Sequence, residues 1–113
     1  MSPLTTHVLD TRLGKPAAGV AIYLEKRDAA GEWHAAASGL SNDDGRVPNL
    51  LREGELTPGR YRLTFETAAY FEKQRVEHFY PEVTVDFQIA AADGHYHVPL
   101  LLSPFGYSTY RGS

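Results

Sequence analysis

Short runs in which apolar and polar residues alternate, each closed by a turn of Gly, Pro, Asn or Asp, constrain this chain more than any other feature. The clearest is residues 60–66, where Tyr61, Leu63 and Phe65 point one way and Arg62, Thr64 and Glu66 the other. A repeat of two is the side-chain period of a β-strand with one buried face. Residues 7–12 alternate in the same way, with His7, Leu9 and Thr11 opposed to Val8, Asp10 and Arg12. Residues 20–25 bury Val20, Ile22 and Leu24, and residues 83–89 bury Val83, Val85, Phe87 and Ile89. Residues 32–40 form a further strand, with Trp33 at its start and the small residues Ala35, Ala36 and Ala37 leaving room for a close neighbour. Near the end, His95 and His97 share one face while Val98, Leu100 and Leu102 share the other; after Pro104 and Gly106, residues 105–111 can form another strand-like piece. Residues 47–51 are a candidate for one more short strand.

The punctuation agrees with this. Turns are expected at Leu13-Gly14-Lys15-Pro16, Asp28-Ala29-Ala30-Gly31, Asn42-Asp43-Asp44-Gly45, Thr57-Pro58-Gly59 and Ala92-Asp93-Gly94, because these residues tolerate turn geometry. One helix of about two turns is expected over residues 68–75, with Thr67 as its cap. Seven to eight short strands and one short helix imply an all-β, antiparallel β-sandwich. The 113 residues fit a single domain over 1–113.

Composition limits the function. A net charge of −3 gives no support to nucleic-acid or anionic-membrane binding. Cysteine is absent, which removes disulfides, a thiol nucleophile and cysteine metal sites. The first residues have no basic, apolar leader pattern, so a cytoplasmic location is expected. No run approaches the roughly 20 apolar residues that span a bilayer.

Four groups can carry chemistry: His7, Arg46, the His95/His97 pair, and the terminal Tyr110, Arg111, Gly112 and Ser113. Each has a plainer reading. A lone histidine is more often a satisfied or exposed side chain, and an arginine after a turn is usually solvated. Two imidazoles on one strand face could share a metal ion, but a catalytic zinc takes three protein ligands. His7 becomes the third only if the first strand and the His95/His97 strand adjoin, and no acidic residue falls at a ligand spacing. No metal and no cofactor are therefore expected. Without metal, two imidazoles and a guanidinium suit hydrolysis: one histidine deprotonates water, the other protonates a leaving nitrogen, and Arg46 steadies oxyanion charge. Ser103, Ser108 and Ser113 lack the Gly-x-Ser-x-Gly elbow of a serine hydrolase.

Several motifs carry a resemblance over nearly the whole chain. They are Thr6-His7-Val8-Leu9-Asp10, Gly14-Lys15-Pro16-Ala17, Asn42-Asp43-Asp44-Gly45-Arg46, Gly59-Arg60-Tyr61, Tyr70-Phe71, the ten residues from His95 to Pro104, and the terminal Tyr110-Arg111-Gly112-Ser113. The chain resembles the transthyretin-related family and, within it, the 5-hydroxyisourate hydrolases, which the terminal tetrapeptide separates from transthyretin proper. The resemblance implies a prealbumin-like sandwich and a homotetramer in which protomers pair edge to edge and dimers pack around a channel. It implies hydrolysis of 5-hydroxyisourate to 2-oxo-4-hydroxy-4-carboxy-5-ureidoimidazoline by opening a cyclic amide, without a cofactor. It assigns catalysis to His7, Arg46 and His97, and substrate binding to Tyr110, Arg111, Gly112 and Ser113. It leaves open which histidine is the base. The alternative within the same fold is a non-catalytic small-ligand carrier of the transthyretin type.

Overall fold

The structure is a computed structural model and describes residues 2–91 and 94–112. The strands, in chain order, are β1 (Leu4–Asp10), β2 (Lys15–Pro16), β3 (Ala21–Arg27), β4 (Trp33–Leu40), β5 (Gly59–Phe65), β6 (Val83–Ile89), β7 (Tyr96–Ser103) and β8 (Gly106–Thr109); α1 (Thr67–Lys73) lies between β5 and β6. They form two four-stranded sheets, ordered β2-β1-β7-β8 and β4-β3-β5-β6. The inner faces are those the alternation selected. Leu4, Val8, Leu100 and Leu102 of the first sheet and Ile22, Leu24, Leu63 and Phe65 of the second are all at most 1% exposed. Burying side chains of this size contributes about 1.5–3 kcal/mol each before entropy is charged against it.

The sandwich is antiparallel with one exception. β1 and β7 run parallel, from Leu4 beside Tyr96 to Asp10 beside Leu102. Adjacent strands joined by a tight turn must be antiparallel, whereas strands separated by most of the chain are free to run either way.

Four local expectations change. Residues 13–16 are not all turn, because Lys15 and Pro16 pair with Asp10 and Leu9 as β2. Residues 47–51 form no strand; Asn49 adopts φ 57°, and Val47, Leu50 and Leu51 bury themselves from a turn. Thr67 is the first helical residue, not the cap: Glu66 holds that position without a side-chain bond, and the Thr67 hydroxyl donates to the Tyr80 carbonyl at 2.9 Å. The first strand starts earlier than expected, at Leu4. Of the expected turn at residues 92–94, Ala92 and Asp93 lie outside the described residues.

Helix α1 buries Phe71 and sends the Tyr70 hydroxyl to Asp10 Oδ2 at 2.7 Å. Asp10 is fully buried, and its Oδ1 accepts the backbone N–H groups of Arg12 and Leu13 at 2.9 and 3.2 Å. Both oxygens are thereby satisfied, as a buried carboxylate requires. This fixes the chain reversal after β1. Among the described residues, no helix is long and apolar enough to cross a membrane.

Candidate functional site

The outer face of the β2-β1-β7-β8 sheet collects the chemistry. Thr5 stands beside His97 in the parallel register, and His7 stands beside Pro99. With the period of two, Thr5, His7, His97 and Pro99 therefore share one face, and His7 is one diagonal step from His97. Arg46 bridges His7 on the other side of β1, and Gly112 bridges His97 on the far side of β7. A row results, running Arg46, His7, His97, Gly112 across four neighbouring segments of backbone.

Local sequence builds each end of the row. At the Arg46 end, Asn42 Oδ1 accepts the N–H groups of Asp44 and Arg46 at 2.9 and 3.0 Å, and the Gly45 N–H bonds the Asn42 carbonyl at 2.8 Å. Gly45 adopts φ +74°, and a Cβ there would press into the Val8 carbonyl oxygen and stand 3.1 Å from His7 Cδ2. Glycine is needed for both reasons. The Gly45 carbonyl in turn accepts the Val8 N–H at 2.8 Å, which docks the turn onto β1. At the other end, the Gly112 N–H donates to the His97 carbonyl at 2.8 Å. A Cβ on Gly112 would stand 2.5 Å from His97 Cδ2, so the imidazole packs on bare backbone.

The His97 ring is oriented on its second side by Thr5. The Thr5 hydroxyl oxygen lies 2.8 Å from His97 Nδ1 and 3.2 Å from His95 Nε2. Burial pushes the His97 imidazole below the ordinary histidine range; the positive charge of Arg46 adds to this, then His7 and His95, while a hydrogen bond with the Thr5 backbone opposes it. A half-buried histidine held neutral near physiological pH can accept a proton.

The structure thus brings His7, Arg46, His97 and Gly112 together, with His95 joined through Thr5. It places the other tail residues differently. The Arg111 guanidinium lies 4.7 Å over the Tyr96 ring, and Tyr96 projects from the opposite face of β7 to His97. Arg111, Tyr110 and His97 help line a hollow of about 240 Å³ bounded by residues 85–88 of β6. Tyr110 is 57% exposed, and Ser113 lies outside the described residues. Sequence reasoning did not single out Thr5. The period of two puts it on the face of His7, but only the β1–β7 register brings it to His97.

Among the described residues, one group of metal-ligating side chains lies close together elsewhere: Asp28, Glu32 and His34 at the exposed β3–β4 hairpin. Asp28 there already accepts from His34 Nε2 at 2.6 Å and from two backbone N–H groups.

A family model described as "HIUase/Transthyretin family" matches residues 4–112. A Salmonella dublin protein named 5-hydroxyisourate hydrolase is 47% identical over 110 residues, covering 97% of this chain and 80% of that protein. A Mus musculus protein of the same name is 47% identical over 113 residues, covering 99% and 96%. Among solved structures, transthyretin from Sparus aurata superposes with a TM-score of 0.93 at 35% identity, covering 99% of this chain and 97% of that one. An (S)-allantoin synthase superposes at 0.89 with 38% identity, covering 97% of this chain and 43% of the other. The chain belongs to the HIUase/Transthyretin family.

Proposed function

We propose that this protein is a 5-hydroxyisourate hydrolase that opens the substrate's cyclic amide by acid–base catalysis. The observation that carries this reading is the row of Arg46, His7 and His97 on one sheet face, in a chain 47% identical over most of its length to enzymes of that name. One neutral imidazole takes a proton from water, and the water oxygen attacks the amide carbonyl carbon. The carbonyl oxygen gains negative charge, which the fixed donor fork of Arg46 offsets. The other imidazole protonates the ring nitrogen as the C–N bond breaks, giving a carboxyl group and a free N–H. No step draws on a metal or cofactor. Of the tail residues proposed to bind the substrate, Gly112 holds the His97 ring and Tyr110 shapes the rim, while Arg111 is engaged by Tyr96; the role proposed for Ser113 concerns a residue outside the described ones.

A homotetramer is part of the same reading. β8 leaves a sheet edge unpaired in the protomer, and Phe79, Phe105 and Tyr107 beside it are 69%, 63% and 43% exposed. Open edges and exposed aromatic groups are places where copies of a chain meet.

A carrier of the transthyretin type would share the fold, and a solved sea bream transthyretin at 36% identity is in complex with thyroxine. A carrier has no use for two imidazoles and a guanidinium in one row. The test generates 5-hydroxyisourate from urate with urate oxidase and follows its ultraviolet decay. The protein should accelerate that decay; a rate equal to the spontaneous one would sink the hydrolase reading.

A further inference from the structure

Building on the hydrolase reading, we propose that Thr5 is a positioning residue: its hydroxyl, held between His97 and His95, keeps the hydrogen of neutral His97 on Nδ1 and leaves Nε2 as the general base.

The geometry of three atoms carries this. Thr5 Oγ1 is 2.8 Å from His97 Nδ1 and 3.2 Å from His95 Nε2, and β1 and β7 fix that spacing by pairing Thr5 with His97. A hydroxyl has one hydrogen to give and lone pairs to accept with. With two ring nitrogens as partners, it can donate to only one of them, and it accepts from the other or from both; every arrangement in which it accepts from His97 puts the ring hydrogen on Nδ1. If it donates to His97, the Nδ1 lone pair is consumed and the ring hydrogen sits on Nε2, where no base remains. If it accepts from His97 Nδ1–H, its own hydrogen is free for His95 Nε2, and His97 Nε2 keeps a free lone pair. One further feature favours the second arrangement. His95 is exposed and its ring can turn to present an unprotonated nitrogen at little cost.

His97 Nδ1 is thereby occupied, and the ring edge at Cδ2 is covered by Gly112. The imidazole is held by a bond on one side and a van der Waals wall on another, so neither its tautomer nor its plane is free to drift. A base locked in this way loses no time in the wrong tautomer. This assigns the base role to His97 and leaves His7, beside Arg46, to protonate the leaving nitrogen.

The test uses nitrogen-15 NMR of the histidine rings and steady-state kinetics on the full chain. In the wild type, neutral His97 should show the Nδ1–H tautomer. Thr5→Val keeps the shape and removes the hydroxyl; it should lower kcat by about tenfold with KM changed less than about twofold, and should shift His97 toward the Nε2–H tautomer. Thr5→Ser restores the hydroxyl and should recover both kcat and tautomer. A wild-type spectrum with His97 in the Nε2–H form overturns the assignment without any variant. So does a Thr5→Ser protein as slow as Thr5→Val, because the loss would then follow packing and not the hydroxyl. Loss of turnover in His97→Ala with wild-type turnover in Thr5→Val overturns the Thr5 assignment alone. Wild-type turnover in His97→Ala overturns the acid–base mechanism and the base assignment together.

Discussion

Three side chains of the row are expected to be indispensable. In the proposed mechanism His7→Ala and His97→Ala remove proton-transfer groups, and Arg46→Ala removes the charge that faces the oxyanion. Each should fold, since all three lie outside the core cluster, and each should lose about 10²- to 10⁴-fold in turnover. Near-normal turnover in any one would remove that residue from the mechanism. The acid limb of the rate profile should lie below about 6.5, because His97 is depressed by burial and by Arg46. The same depression makes the unfolded chain bind the proton more tightly than the folded one. His97 therefore contributes stability that is present above its unfolded value and lost as pH falls toward its folded value. A flat rate profile between pH 5 and 8 would contradict a histidine base. Gly112→Ala should displace the His97 ring, because the added carbon would stand 2.5 Å from Cδ2. Turnover should fall at least about tenfold while the melting temperature moves little, and an unchanged rate would show that the ring has room. At this scale the sequence was informative about type and face. The shared face of His95 and His97 follows from spacing alone. Thr5 does not, because its partner lies 92 positions away. The direction of Arg111 toward Tyr96 was also hidden, since an aromatic ring competes for a guanidinium as well as a substrate does.

Turns and strands were legible to different degrees. Strand faces emerged because burial on one side enforces a period of two, as in β5, where Tyr61, Leu63 and Phe65 are all buried. The turn before Arg46 emerged because Asn and Gly supply what it needs. Residues 47–51 misled because an apolar run satisfies a buried turn as well as a strand, and Asn49 with its φ of 57° decides for the turn. The helix start misled because Thr67 lies inside the first turn, with Glu66 at the cap position; its hydroxyl donates to the Tyr80 carbonyl and, among the described residues, accepts from no helix N–H. The turn is also the element on which the Arg46 end depends. Gly45→Ala combines a left-handed backbone with a clash against β1, and should cost on the order of 1–3 kcal/mol. Thermal melting should fall accordingly, and activity should fall further than stability explains, since Arg46 moves with the turn. An alanine variant that melts and turns over like the wild type would show that the turn tolerates a side chain.

For the whole molecule, sandwich architecture could be read from the count and length of alternating runs, but the direction of the β1–β7 pair could not. No turn joins those strands, so nothing local specifies whether they run together or opposed. Nor does a single chain display its assembly. Light scattering at micromolar concentration should give about four times the 12.5 kDa chain mass; a fully active monomer would refute the tetramer.

The parallel pair has a consequence for how the protein is made. The β4-β3-β5-β6 sheet draws all its strands from residues 21–89, so it can assemble on a nascent chain as soon as β6 clears the ribosome. The other sheet cannot, because β1 has no long neighbour until residues 96–103 emerge. Until then β1 has beside it only the two residues of β2 and leaves an apolar face open, the kind of segment chaperones bind. His7 and Arg46 wait with it, translated early but without His97 or Gly112. The row of Arg46, His7, His97 and Gly112 therefore comes together only after residue 112 has emerged, whatever the order in which the rest of the fold forms.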